Sequence, residues 1–166
     1  MELAAFQSSP HMLREVVALA RPADEREWVP QAPQVWFRPL LLDRTTGTVA
    51  NLLRVRRGGN LGKHIHNPPV FGYVIKGSWR YLEHDWTATE GSFVYEPPGE
   101  VHTLVVDAHG EADEMITFFV VHGGLVKIGE DLQPTGYENA LTKIELCERW
   151  FAQCGLGAAH VQRYVR

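Results

Sequence analysis

The chain has 166 residues, 45% of them apolar and 22% charged, with a net charge of -4. That length suits one domain with a sizeable core, and the composition is ordinary for a globular protein. Scattered basic residues and a negative net charge argue against nucleic acid or an anionic membrane surface as partner. No apolar run approaches the roughly 20 residues of a membrane-spanning helix. The opening MELAAFQSSPHMLRE has neither a basic start nor a long apolar stretch, so no secretion signal is expected and the cytoplasm is the expected location.

Residues 1 to 35 are mixed and contain proline. A short helix around Leu13 to Ala20, then extended chain, is expected there. From Trp36 to about Val121 the chain reads as short strands. VWFRPLLLD and VANLLRVR flank RTTG as a hairpin, and VFGYVIKG, WRYLEHDW, SFVYEPPGE, VHTLVVDAHG and MITFFVV follow, broken by Gly, Pro and Asp. No long helical pattern interrupts them, which favours an antiparallel barrel or jelly roll over parallel βαβ units. The core is expected over 35–122 and a helical segment over 139–165, all in one domain. In TKIELCERWFAQCG, Thr142 and Glu145 have capping-box spacing. Ile144, Cys147, Trp150, Phe151 and Cys154 keep a helical period, and Gly155 is a natural stop. AAHVQRYV suggests a second short helix. Cys147 and Cys154, about 10 Å apart along a helix, are too distant for a disulfide and read as helix-face thiols.

The chemistry centres on KHIHNPPVFGYVIKG. Residues two apart on a strand share a face, so His64 and His66 aim two imidazoles into one cavity. Gly58 and Gly77 bracket this segment. A second segment, GSFVYEPPGEVH, spaces Gly91, Pro97, Gly99 and His102.

These segments resemble the paired signature motifs of the cupin superfamily, and the strand-rich core around them fits the cupin jelly roll. The resemblance implies one divalent metal held by His64, His66 and His102. Simple hydrogen bonding of the three histidines within a barrel is the plainer alternative. The chain departs from the motif at Val70, where cupins usually carry a glutamate ligand, and at Val106, where an asparagine is common. An apolar side chain has no lone pair to offer a metal. Three neutral imidazoles with open coordination positions are therefore expected, a set suited to an anionic chelating ligand and to Fe(II), although Zn(II), Cu(II) or Ni(II) also binds such donors.

From Trp36 to the C-terminus the chain is similar to small bacterial cupins related to 2,4'-dihydroxyacetophenone dioxygenase, and more distantly to acetylacetone-cleaving dioxygenases. The marks are GYVIKGSWRYLEHDW, SFVYEPPGEVHTL and the ending CGLG. This similarity implies a non-heme Fe(II) enzyme that uses dioxygen to split a carbon–carbon bond beside the carbonyl of a small ketone. Glu96 is the expected acid–base group, beside the metal rather than on it. Arg80, Tyr81 and Glu83 alternate faces on a neighbouring strand, so one or two are expected to reach the cavity. Trp79 and Trp86 read as core, and His11, His84, His109, His122 and His160 as surface or capping residues. A Zn-dependent hydrolase or isomerase and a metal-binding sensor cupin are the rival functions. A homodimer is expected, with the Trp-containing N-terminal segment adding to a partner's sheet edge.

Overall fold

The computed structural model describes residues 13, 15–18, 24–111 and 113–166. Twelve strands are formed in chain order: β1 (Val29–Ala32), β2 (Val35–Leu42), β3 (Val49–Arg56), β4 (Asn60–Ile65), β5 (Val70–Lys76), β6 (Ser78–Tyr81), β7 (Ala88–Thr89), β8 (Phe93–Glu96), β9 (Val101–Val105), β10 (Glu114–Val121), β11 (Leu125–Ile128) and β12 (Pro134–Glu138). One helix, α1 (Ala140–Gln153), and a 3-10 turn over Ala158–Arg163 follow. Among the described residues no helix is long and apolar enough to cross a membrane.

The strands form two antiparallel sheets, ordered β1-β2-β3-β10-β5-β8 and β12-β11-β4-β9-β6-β7. This is the expected all-β jelly roll, built as two separate ladders rather than one closed hydrogen-bonded barrel. Alternation makes the core. On β10, Met115, Thr117 and Phe119 are buried while their sequence neighbours are half-exposed. Trp79 of one sheet packs against Phe119 of the other with ring centres 5.8 Å apart. Trp79 is 1% exposed and belongs to this core, whereas Trp86 lies at its edge, stacked on His84.

The hairpin across RTTG forms, with Leu42 opposite Val49. The strand region extends past both expected limits. β1 adds to β2, and β11 and β12 add beyond β4, in stretches too short and too rich in Gly and Pro to read as strands. The N-terminal segment thus pairs with its own chain, and Trp28 is buried beneath the Arg54 guanidinium, 4.4 Å from its ring centre. β6 ends at Tyr81, so Glu83 sits in the turn that follows rather than on the strand. Its carboxylate accepts from the Thr103 amide and hydroxyl. Of the helix expected over Leu13 to Ala20, residues 13 and 15–18 are not helical and the others lie outside the described residues.

The C-terminal helix starts one cap earlier than its sequence suggests. Asn139 is the N-cap, its Oδ1 accepting from the Thr142 amide, while the Thr142 hydroxyl accepts from the Asn139 amide. Thr142 is therefore the inner partner of the box and Glu145 has no part in it. Cys147 and Phe151 are fully buried on the inner face, both thiols are free, and Gly155 ends the helix at a φ of +83°. Of the motif glycines, Gly77 serves a close approach. A Cβ on Gly77 would sit 2.1 Å from the Glu114 carbonyl oxygen, and Gly77 also has a positive φ that side chains resist.

Candidate metal centre

β4 and β9 run antiparallel with His64 directly opposite His102. His66 is the residue after β4, two beyond His64 and on the same face. Its carbonyl accepts from the amide of Gly99, which ties the two histidine segments together. The three rings, 3%, 4% and 1% exposed, gather with centres 4.7 to 5.6 Å apart. Their ligating nitrogens all lie within 4.8 Å of one another.

The tautomers follow from the neighbours. A carbonyl only accepts, so the Nδ1–H of His64 donates to Gly62 at 2.8 Å and that of His66 to Gly124 at 3.3 Å. This leaves the Nε2 lone pairs for a metal. Burial holds all three imidazoles below their usual range, His66 at about 4 and His102 at about 3, with neighbouring histidines adding to the effect in both. They are neutral at physiological pH, the form that ligates.

Glu96 ends β8 directly opposite Val70 on β5. Facing residues of an antiparallel pair project to the same side. The carboxylate missing from β5 is thus replaced by one from the adjacent strand. Glu96 is 3% exposed, and its Oε2 lies 3.7 Å from His66 Nε2 and 3.6 Å from His102 Nε2. Tyr81 donates its hydroxyl to Glu96 Oε1 and stacks its ring on His102, centres 4.0 Å apart. Burial raises the Glu96 carboxyl to about 7 against the opposing Tyr81 hydrogen bond, and raises the Tyr81 phenol well above its usual value.

Arg80 projects the other way and forms a two-pronged pair with Asp107. The remaining histidines are apart from the centre: His84 pairs with Glu100, His122 with Thr48 and His160 with Glu27, and His109 is exposed. His11 lies outside the described residues. Val106 is core.

The donor set fits a divalent transition metal. His102 Nε2 and Glu96 Oε2 are buried with no hydrogen-bond partner among the described residues, a state that costs about 1–3 kcal/mol per group. A cation among the three Nε2 atoms would take the His102 lone pair and leave the Glu96 oxygen beside it.

His64, His66 and Glu96 line a cavity of about 580 Å³, a volume that includes the open solvent at its mouth. Its walls also carry Asn51, Gln31, Glu138 and Lys143, which motif spacing did not single out. The one sequence sign of them is Asn51, a polar residue at an inward position of VANLLRVR. Lys143 Nζ donates to Gln31 Oε1 at 2.8 Å and pairs with Glu138 Oε2 at 3.0 Å, and Lys127 holds the other Glu138 oxygen. Burial would raise the Glu138 carboxyl, but the two ammonium groups outweigh it and bring it down to about 2.

Two sheets enclosing three inward histidines make the protein a cupin. A model of the ChrR cupin-like domain matches residues 17–126, and the chain belongs to that family. Similar solved structures include an RmlC-like cupin protein from Ralstonia eutropha JMP134, 33% identical with a TM-score of 0.68, over 78% of this chain and 82% of that one. Another is an acetylacetone dioxygenase from Acinetobacter johnsonii, 17% identical with a TM-score of 0.71, over 87% and 95%. A third is the anti-sigma ChrR bound to SigE from Rhodobacter sphaeroides, 18% identical with a TM-score of 0.50, over 61% and 52%. No curated protein matches the chain.

Two outcomes are expected. His102→Ala removes one of three ligands, so stoichiometric metal, measured by elemental analysis, should be lost while circular dichroism shows the sheets intact. Glu138 has a folded value of about 2 against an ordinary 4.5, so its stabilisation is full above pH 4.5 and lost as pH falls towards 2. Glu138→Gln should cost about 1–3 kcal/mol at pH 7. Urea unfolding at pH 7, 4 and 2.5 should show this difference shrinking with acidification.

Proposed function

We propose that the protein is a non-heme Fe(II) dioxygenase that cleaves the carbon–carbon bond beside the carbonyl of a small aromatic hydroxyketone or diketone, such as 2,4'-dihydroxyacetophenone. The observation that carries this reading is the Glu96 carboxylate. Its unpartnered oxygen lies between His66 and His102, and its other oxygen is fixed by Tyr81. His64, His66 and His102 would hold the iron, and Fe(II) there would supply Lewis acidity and reactivity towards dioxygen.

The chain's own groups do the rest. A ketone with a second oxygen on the adjacent or next carbon loses a proton readily. Glu96 Oε2 accepts that proton, and Tyr81 keeps the carboxylate turned towards the cavity while stacking on His102. Leu61, Leu104, Phe119 and Val121 give the cavity apolar walls, which exclude water and hold a flat substrate in one orientation. With Val70 at the motif's carboxylate position, the chain would offer a metal three imidazoles and no carboxylate from β5. The fold shared with the Acinetobacter johnsonii acetylacetone dioxygenase supports the reading.

A metal-binding sensor cupin is the second reading, favoured by the match to the ChrR cupin-like domain. A Zn-dependent hydrolase or isomerase would use the same donors. An oxygen electrode separates these. The iron-loaded protein should consume dioxygen in proportion to ketone across a panel of hydroxyketones and diketones, and silence across that panel would remove the dioxygenase. Glu96→Gln should keep its iron while turnover falls by about 10²-fold, the usual scale for a positioned acid–base group.

Action in the cytoplasm as a homodimer belongs to the same proposal. An apolar row on the outer face of β5 and the edge strand β8, made by Phe71, Tyr73, Ile75, Phe93 and Tyr95, supports self-association. Sedimentation velocity at micromolar concentration should give twice the chain mass; a single species at the chain mass would remove the dimer.

A further inference from the structure

We infer that the metal cavity has a second polar subsite, centred on Asn51, that binds a hydrogen-bonding oxygen at the far end of the substrate from its ketone. The inference deepens the ketone reading and rests on it for the choice of probe.

Asn51 is 6% exposed and stands in the middle of β3 between Val49 and Leu53, all three lining the metal cavity. Its carboxamide makes no hydrogen bond to any described residue. The carboxamide lines the cavity, so its two N–H donors and its carbonyl acceptor are open to a ligand there. The neighbouring polar groups on the cavity wall are only partly committed. Lys143 Nζ spends two of its three donors on Gln31 and Glu138, and the Gln31 amide spends one N–H on Glu138. The Asn51 carboxamide both donates and accepts, so the ligand group that suits it is one that does the same, such as a hydroxyl or phenol.

Topology sets the ligand's shape. Glu96 on β8 and Asn51 on β3 belong to the same sheet, separated by β5 and β10. Three strand spacings across and two residues along put their backbones roughly 16 Å apart in a flat sheet. The wall between them is apolar, with Val70, Val121, Val49 and Phe119. Phe119 lies over Gly72, where a Cβ would come within 2.8 Å of its ring. The cavity is polar, then apolar, then polar, and complements a molecule with a chelating ketone head, a flat apolar middle and an oxygen at its tail.

The test is calorimetric binding of acetophenone and 4-hydroxyacetophenone to the metal-loaded protein without dioxygen. Wild type should bind the hydroxylated ketone about 10-fold tighter, the scale of one good hydrogen bond to a buried amide. Asn51→Leu should abolish that preference, keep the metal and raise or preserve the melting temperature, because the amide it removes is unpaired. Asn51→Ala guards against overpacking and should abolish the preference as well. A preference that survives both substitutions, no preference in wild type, or a marked fall in the melting temperature of Asn51→Leu would overturn the subsite. Binding is scored without turnover, so a protein that shows the preference and consumes no dioxygen refutes the dioxygenase and leaves the subsite standing.

Discussion

The register between β4 and β9 is the constraint on which the site depends. Antiparallel pairing sets His64 opposite His102, and the two-residue period of the strand brings His66 to the same side. Slipping either strand by one residue would turn its histidine outward and bury a neighbour in its place. Burial then does the electrostatic work. Three imidazoles crowded in an apolar interior resist protonation, since each would be a charge without water and the others sit close by. The Gly62 and Gly124 carbonyls fix the Nδ1 protons of His64 and His66 and so orient their Nε2 lone pairs. A metal-ready donor set is thus a consequence of packing and register rather than of any single side chain.

The carboxylate belongs to the same logic. Val70 and Glu96 face each other across the β5–β8 ladder, so moving the acid from one strand to the next changes its reach but not its side of the sheet. On β8 it comes within 3.7 Å of two ligating nitrogens while its outer oxygen is tied to Tyr81. Burial of an acid at this point raises its affinity for a proton, and the apolar walls around it supply that burial. Among the described residues, half of the buried polar atoms without a partner belong to His102 and Glu96, where chemistry would occur. A fold maximised for stability alone would have removed them.

The two ends of the chain complete the cavity. β12 carries Glu138 and the adjoining α1 carries Lys143, and they meet Gln31 of β1, more than 100 residues earlier, in one cluster at the cavity wall. α1 is anchored by its buried Cys147 and Phe151 and by Trp150, whose indole N–H donates to the Arg26 carbonyl. Its position is therefore set by apolar packing, and Lys143 is carried to the cavity by it.

Local patterns were enough to read the strand-rich core, the hairpin at RTTG, the C-terminal helix and the His64–His66 pair. Each of these depends on spacing within a few residues: a two-residue strand period, a helical period, a glycine stop. The grouping of His102 with the earlier pair came from motif resemblance, since 36 residues of chain separate it from His66. Two local readings failed because a neighbour outcompeted them. Asn139 took the helix cap from Thr142, and a turn after Tyr81 removed Glu83 from the strand. Arg80 and Tyr81 are adjacent and looked equivalent, yet strand alternation sends one to Asp107 outside and the other to Glu96 within. Which of the two faces is inside depends on what the opposite sheet covers, and only the tertiary structure decides that. The same holds for Asn51, Gln31, Glu138 and Lys143. Strand order and helix docking bring them to one cavity, and no spacing along the chain encodes that meeting.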